Sequence, residues 1–278
     1  QIEASFYRTS QRLIITYMLL TGVGLILFIY TGMNFYEAFN HVLTAIATGG
    51  MSTYDNGYEV IYQRSYLTYI PVTIWMIIGG MNFVLLDRLI RGDFKSVVKS
   101  EEFQTYIYTM LILIFTTTLS YYLIEGYDIW TSITYGLFNQ VSGMTTTGFS
   151  LGKIGDLKTF TKFTLIIGMF IGGMTFSTAG GIKTFRLLII LKKIKITSIA
   201  NIASGSIEKA IRVDGNIIDE LEVSATLVYP IIHIFIVTLG AALMAIYGYS
   251  FIDTLFEATS AASCVGLSVG VVTPHSPI

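Results

Sequence analysis

The chain is poor in cysteine, histidine and charge, and each shortage excludes something. A single cysteine, Cys264, rules out a disulfide framework and a cysteine-based metal cluster. Three histidines without paired spacing give no metal site. Charged residues make up only 13% of the 278 residues, against about 25% in soluble domains, too few to cover a globule of this size. A formal charge of −1 gives no bulk attraction for nucleic acid, so none is expected as a partner. There is no Gly-X-Y period, no phosphate loop and no dinucleotide fingerprint. What is abundant is apolar: 53% of the residues are hydrophobic and 14% aromatic, which excludes a disordered chain and leaves an integral membrane protein.

A helix needs about 20 apolar residues to cross the hydrocarbon. Residues 13–33, 66–86, 103–124, 163–182 and 223–250 meet that length, and five spanning helices are predicted. None of them alternates as a barrel strand would, so the bilayer is the expected environment of a multi-pass helical chain. Of the 17 lysines and arginines, all but Arg64, Lys153, Lys158 and Lys162 fall on one side of these spans, which is assigned to the cytoplasm. Residues 190–222 are then a cytoplasmic linker, with Lys192, Lys193 and Lys195 as a positive flank that suits anionic lipid. Tyr30, Tyr36, Tyr66, Tyr121, Tyr122 and Tyr127 sit at span ends as an interfacial belt. Residues 1–11 lack the cleavage pattern of a signal peptide.

Three apolar segments are too short to span: 35–53, 129–152 and 251–272, all on the predicted outer side. Each reads as a helix of about three turns followed by an extended glycine loop. They align on one glycine. Ala47-Thr48-Gly49-Gly50-Met51-Ser52 matches Thr145-Thr146-Thr147-Gly148-Phe149-Ser150 and Ser263-Cys264-Val265-Gly266-Leu267-Ser268. Glu37 and Asp253 stand at the same distance ahead of their glycines. A tandem repeat of helix, short pore helix, loop and helix follows.

Irregular backbone at membrane depth persists only where it lines a cavity or is buried in protein. A central glycine accepts positive φ and lets successive carbonyls face one axis, where they can replace the hydration shell of a monovalent cation. Helix C-termini aimed at that axis add partial negative charge, while Glu37 and Asp253 suit the opposite ends. No loop carries a central carboxylate, which argues against a divalent ion; potassium is the first candidate. Gly22, Gly24, Gly79 and Gly80, inside spans, read instead as close-packing positions.

The motifs ATGGMST, TTTGFS and SCVGLSVG, with GGMTFSTAGGIKTFR in the second repeat, resemble the TrkH/KtrB superfamily of potassium transport subunits. The resemblance covers nearly the whole chain. It implies a pseudo-fourfold potassium-channel-like fold, of which this chain holds two full repeats and a partial third. The units would be 1–100, 101–198 and 199–278, resembling the family's second, third and fourth repeats; a first repeat and a last inner helix would lie outside, so the chain is expected to be a piece of a longer protein. Carried over by motif, the selectivity filter is Thr48, Gly49 and Gly50; Thr146, Thr147 and Gly148; and Cys264, Val265 and Gly266. Potassium, the transported ligand, would meet the carbonyls of Thr48, Thr146 and Cys264, with no covalent cofactor. The resemblance also implies a plasma-membrane homodimer, one pore per subunit, docked on a cytoplasmic nucleotide-binding regulatory subunit (a TrkA/KtrA-like ring). An ion-coupled potassium or sodium symporter of the same architecture is the alternative.

Residues 172–181 interrupt the fourth span with two glycine pairs. Glycine costs about 1 kcal/mol against alanine inside a helix, and a broken helix at membrane depth marks a site or a moving part. In the resembled family this segment obstructs the pore below the filter, which makes Gly172, Gly173, Ser177, Thr178, Gly180 and Gly181 the gate candidates. Lys183 and Arg186 follow, suited to the interface or to a regulatory partner. A Ser177–His233 hydrolase dyad finds no nucleophile elbow in the sequence, so no enzyme is expected. His233 fits a neutral hydrogen-bonded role, His41 lies in the first pore helix, and His275 is near the end of the chain.

Overall fold

The computed structural model describes residues 2–202 and 210–272, which are mostly helical. In chain order the helices are α1 (Ile2–Tyr30), α2 (Phe35–Ile46), α3 (Glu59–Arg64), α4 (Tyr69–Gly79), α5 (Phe83–Ile90), α6 (Phe94–Lys99), α7 (Glu101–Ser120), α8 (Ile129–Met144), α9 (Thr159–Ile171), α10 (Thr184–Ile202), α11 (Glu220–Ala245) and α12 (Phe251–Ala262). Lys209 and His275 lie outside the described residues. Three stretches are long and apolar enough to cross a membrane: Ser10–Tyr30, Glu101–Glu125 and Glu220–Ala245. Their outward faces stay apolar, with Ile14, Met18 and Ile26 on α1 and Ile231 and Phe235 on α11 all exposed. Such a surface is stable against lipid and not against water. The chain is a membrane protein.

The second expected span, 66–86, is not one straight helix. Tyr66–Gly79 and Phe83–Ile90 are bent by 114° at the break between them. The cause is local. Gly79 and Gly80 close α4, and Asn82 restarts the chain by accepting from the amides of Val84 (2.9 Å) and Leu85 (3.4 Å) at the head of α5. A side chain at Gly79 would meet the carbonyl oxygens of Ile46 (2.7 Å) and Ala45 (2.9 Å), and one at Gly80 the Tyr106 hydroxyl (2.5 Å). The glycine pair thus lets α4 touch the end of α2 before the chain turns away. Gly24 is equally confined, by the Trp75 indole at 2.3 Å, whereas Gly22 has nothing within 4 Å and no packing role here.

The fold is mostly helical, with one small ribbon besides. Within the stretch read as a linker, β1 (Arg212–Val213) pairs antiparallel with β2 (Asn216–Ile217). The two-residue turn Asp214-Gly215 has positive φ at both positions (51° and 83°), the primed geometry that matches strand twist. Asp214 accepts from the Glu101 amide (2.8 Å) and from the Ser100 hydroxyl (3.2 Å), capping α7. Lys192 of α10 bridges Glu101 and the Arg212 carbonyl, both at 2.5 Å. Part of the predicted basic flank is therefore spent on tying the ribbon to α7 and α10.

The short helices α2, α8 and α12 start on sequence-encoded caps. Asn34 and Glu37 form a reciprocal capping box on α2, Asp128 accepts from Thr131 N on α8, and Ser250 accepts from Asp253 N on α12. Glu37, almost fully buried, takes a bidentate pair from Arg64 (2.9 and 2.5 Å) and a hydrogen bond from Tyr54. Asp253 takes Lys162 at 2.6 Å. Two of the four outer-side cations thus neutralise the acids at the helix heads. The Arg64 hydrogen bonds, helped by Tyr54 and opposed by burial, hold the Glu37 carboxyl down at about 2 from an ordinary 4.5. A depressed folded-state value stabilises the fold above pH 4.5, and that stability is lost as pH falls through about 2. In detergent, thermal midpoints should therefore drop between those limits, and Glu37→Gln should flatten that acid limb. An unchanged acid limb would remove this role from the pair.

Candidate functional site

Each short helix ends in the same backbone device. Two residues before the aligned glycine, a residue with a side chain sits in the left-handed region: Thr48 (φ 48°), Thr146 (55°) and Cys264 (57°). The glycines follow at 61° for Gly50, 94° for Gly148 and 93° for Gly266. Non-glycine residues there carry a cost of order 1–3 kcal/mol, sustained only where surroundings over-determine them. Here the helix ends do so. Gly49 N, Thr147 N and Val265 N turn back to Thr44 O (2.7 Å), Ser142 O (2.9 Å) and Ser260 O (2.8 Å). Thr48, Thr146 and Cys264 donate their amides likewise, to Ala45 O, Gly143 O and Ala261 O. The donors are thereby consumed on the helix side. Among the described residues the carbonyls of Thr48, Thr146 and Cys264 accept no hydrogen bond.

The three loops nest against one another in chain order. A Cβ on Gly50 would lie 1.9 Å from Thr147 O, and one on Gly148 2.2 Å from Val265 O. Glycine in one loop is packed on the carbonyl just ahead of the glycine in the next. Gly266 has only Gly148 Cα at 3.9 Å. Thr145, Thr146 and Thr147 in the middle loop are fully buried, while Gly49, Cys264 and Gly266 are exposed. All nine filter candidates therefore come together at the C-terminal ends of three short helices, with the second loop flanked on both sides.

Sequence reasoning missed two further columns of the same alignment. Six residues before the glycine stand Thr44, Ser142 and Ser260; the Ser142 and Ser260 hydroxyls accept from Gly148 N (3.0 Å) and Gly266 N (3.1 Å). Nine before stand His41, Asn139 and Glu257, each bonded to the strand leaving its own loop. His41 Nε2 meets Ser52 Oγ at 3.2 Å, and Asn139 exchanges bonds with Leu151 N and O, both at 2.8 Å. Glu257 accepts from Ser268 Oγ, Val269 N and Val271 N. The first column is uniformly hydroxyl-bearing and was open to the alignment, whereas the second differs in residue type, so only the glycine register could have exposed it. Phe149 also stacks on His41 of the neighbouring helix at 5.6 Å, locking the first two loops together.

Residues 172–183 run as irregular chain between α9 and α10, directly against the helix ends. Thr178 Oγ1 lies within hydrogen-bonding distance of Ile46 O (3.1 Å) and Gly79 O (3.0 Å), and accepts from Thr48 Oγ1 at 3.1 Å. Gly180 N donates to Thr146 Oγ1 at 2.6 Å, and a Cβ on Gly180 would meet Ser263 O at 1.9 Å. One loop thus touches all three short-helix ends. Only Gly172 and Gly181 of the four glycines use positive φ (77° and 74°); Gly173 is confined by Ala179 Cβ at 2.6 Å and Gly80 O at 2.8 Å. The loop is anchored from outside by Met174 N to Gly80 O (2.9 Å), Phe83 N to Phe176 O (3.1 Å) and Thr175 N to Glu102 Oε1 (2.6 Å).

Ser177 donates to Met174 O at 2.5 Å, and His233 meets Ser263 Oγ at 3.2 Å. The two are not paired, and His233 takes the hydrogen-bonded role beside the third loop. Lys183 folds back to Ala179 O, and Arg186 to Ile182 O (2.8 Å) with its guanidinium 4.2 Å from the Tyr229 ring centre. Both cations brace the irregular segment.

The TrkH cation transport protein profile matches residues 4–111 and 97–277. The chain belongs to the TrkH family. Its description is that of a transport protein, not an enzyme. Similar curated proteins include an uncharacterized cation transporter of Methanocaldococcus jannaschii, 28% identical over the whole chain and 56% of that protein. The Trk system potassium uptake protein TrkH of Salmonella typhimurium is 32% identical over 66% of this chain and 38% of its own. The chain thus spans about half or less of the curated relatives it matches. The crystal structure of the potassium transporter TrkH from Vibrio parahaemolyticus superposes with a TM-score of 0.84 at 24% identity, over 95% of this chain and 57% of that one. The fold of the family is thereby shared.

Proposed function

We propose that the full protein takes up potassium across the plasma membrane through one central pore per subunit. The filter is lined by the carbonyls of Thr48, Thr146 and Cys264, and the 172–181 loop is the gate. The observation that carries this reading is the set of three loops nested glycine to carbonyl, with those carbonyls free of hydrogen bonds. Carbonyl oxygens without charge suit a large, weakly hydrated monovalent ion. The similarity to a potassium uptake protein of Salmonella typhimurium supports potassium as that ion.

The units 1–100, 101–198 and 199–278 are then three successive repeats around the pore axis. The open side of Gly266 and the exposed Gly49 are where a fourth loop of the complete protein closes the ring. A homodimer and a cytoplasmic nucleotide-binding ring complete the assembly in this reading. The 212–217 ribbon faces the same predicted side as that ring.

The test uses the full-length protein in liposomes under a potassium gradient alone. The expected result is rubidium exchange and a membrane potential that follows potassium and not sodium. Uptake that appears only when a proton or sodium gradient is added would replace the pore with a coupled symporter.

A further inference from the structure

Every glycine loop leaves its helix through a left-handed residue and continues as irregular chain, which a side chain of its own short helix holds. Glu257 occupies that position in the third loop. It lies on α12, is only 7% exposed, and receives three hydrogen bonds on one oxygen: Ser268 Oγ at 2.6 Å, Val269 N at 2.9 Å and Val271 N at 3.3 Å. Ser268 passes the restraint on by accepting from Gly270 N at 3.0 Å. Among the described residues none of the four ion pairs includes Glu257. A buried carboxylate without a cation is retained only where its hydrogen bonds compensate its desolvation, and all of these run to the strand just beyond Gly266.

The other loops solve the same problem with different chemistry. Asn139 donates from Nδ2 to Leu151 O and accepts from Leu151 N at Oδ1, and His41 holds Ser52 through one ring nitrogen. The first two loops are further cross-braced by Phe149 on His41 and by Glu59 Oε2 on Gly152 N at 2.8 Å, and Val265 and Leu267 of the third pack with Ile154 and Leu157 behind the second.

We propose that Glu257 is a specificity-determining positioning residue: it sets the spacing of the Cys264, Val265 and Gly266 carbonyls by holding the strand that follows them. The inference rests on the pore reading above. Glutamine keeps an acceptor oxygen and loses the charge, whereas alanine removes the acceptor of the Val269 and Val271 amides and of the Ser268 hydroxyl.

The experiment compares wild type, Glu257→Gln, Glu257→Ala and Ser268→Ala in full-length protein in liposomes, measuring rubidium and sodium uptake separately. Glu257→Ala should lower the rubidium-to-sodium ratio at least about tenfold, and Ser268→Ala and Glu257→Gln by smaller factors, the difference expected between removing an acceptor outright and losing one donor or weakening the acceptor. Hydrogen exchange at the Val269 and Val271 amides should quicken in the alanine variant and not in the glutamine one, a readout independent of transport. Equal loss of both ions with the ratio unchanged in Glu257→Ala would overturn the proposal. So would collapse of the ratio in Glu257→Gln, or unchanged exchange in Glu257→Ala. Failure of wild type to carry rubidium at all would instead overturn the pore reading.

Discussion

Gly148→Ala should reduce rubidium uptake by the full-length protein at least about a hundredfold, with the protein still present in the membrane. Two costs combine. At φ 94° the backbone lies where a side chain is strained, and the added Cβ would fall 2.2 Å from Val265 O. The conformational term alone is of order 1–3 kcal/mol, and the contact cannot be relieved by a rotamer because its partner is backbone. The neighbouring loop must move, and with it the carbonyls proposed to replace water around the ion. Gly50→Ala should behave alike, since its Cβ would lie 1.9 Å from Thr147 O. Gly22→Ala, with nothing within 4 Å, is the matched control and should stay within about twofold of wild type, as exposed helical glycines tolerate alanine. Near-normal uptake in Gly148→Ala would mean that this contact does not shape the ion path.

The second large effect has the opposite sign. Thr178→Val keeps the volume of the proposed gate residue and removes its hydroxyl. That hydroxyl meets Ile46 O and Gly79 O and accepts from Thr48, so one side chain joins the irregular segment to α2, α4 and the first filter loop. Part-buried hydrogen bonds of this kind contribute roughly 0.5–1.5 kcal/mol. If the segment obstructs the pore, losing that attachment favours its withdrawal. Basal rubidium uptake should rise about tenfold, the factor that corresponds to about 1.4 kcal/mol. Gly180→Ala should act in the same direction, because its Cβ would press on Ser263 O at 1.9 Å. Decreased uptake in both variants would identify the segment as a support of the filter and not as its gate.

The long features were legible in the sequence because they rest on simple periodicities. The apolar runs gave α1, α7 and α11, and the glycine alignment located the three short helices and loops at the right residues. Residues 172–181 were recognisable as a helix break because two glycine pairs sit in one apolar run. The 114° bend after Gly79 was not. Gly79-Gly80 is equally good at packing and at ending a helix, and Asn82 becomes a cap only once the chain has turned. The ribbon at 212–217 was hidden for a related reason: two strands of two residues carry no alternation, and their purpose, Asp214 on the head of α7, is a contact with residues more than a hundred positions earlier. His41, Asn139 and Glu257 share a task but no chemistry, so residue identity concealed what register would have revealed. The left-handed Thr48, Thr146 and Cys264 were invisible for a similar reason, since strain imposed by a helix end leaves no mark on residue type.

The most direct measurement is a structure of the full-length protein with rubidium, read by anomalous scattering. Ions on one axis, with the carbonyl oxygens of Thr48, Thr146 and Cys264 as their nearest ligands, are the expected result. Rubidium bound elsewhere, in protein that still transports it, would contradict a shared ion path through the three loops.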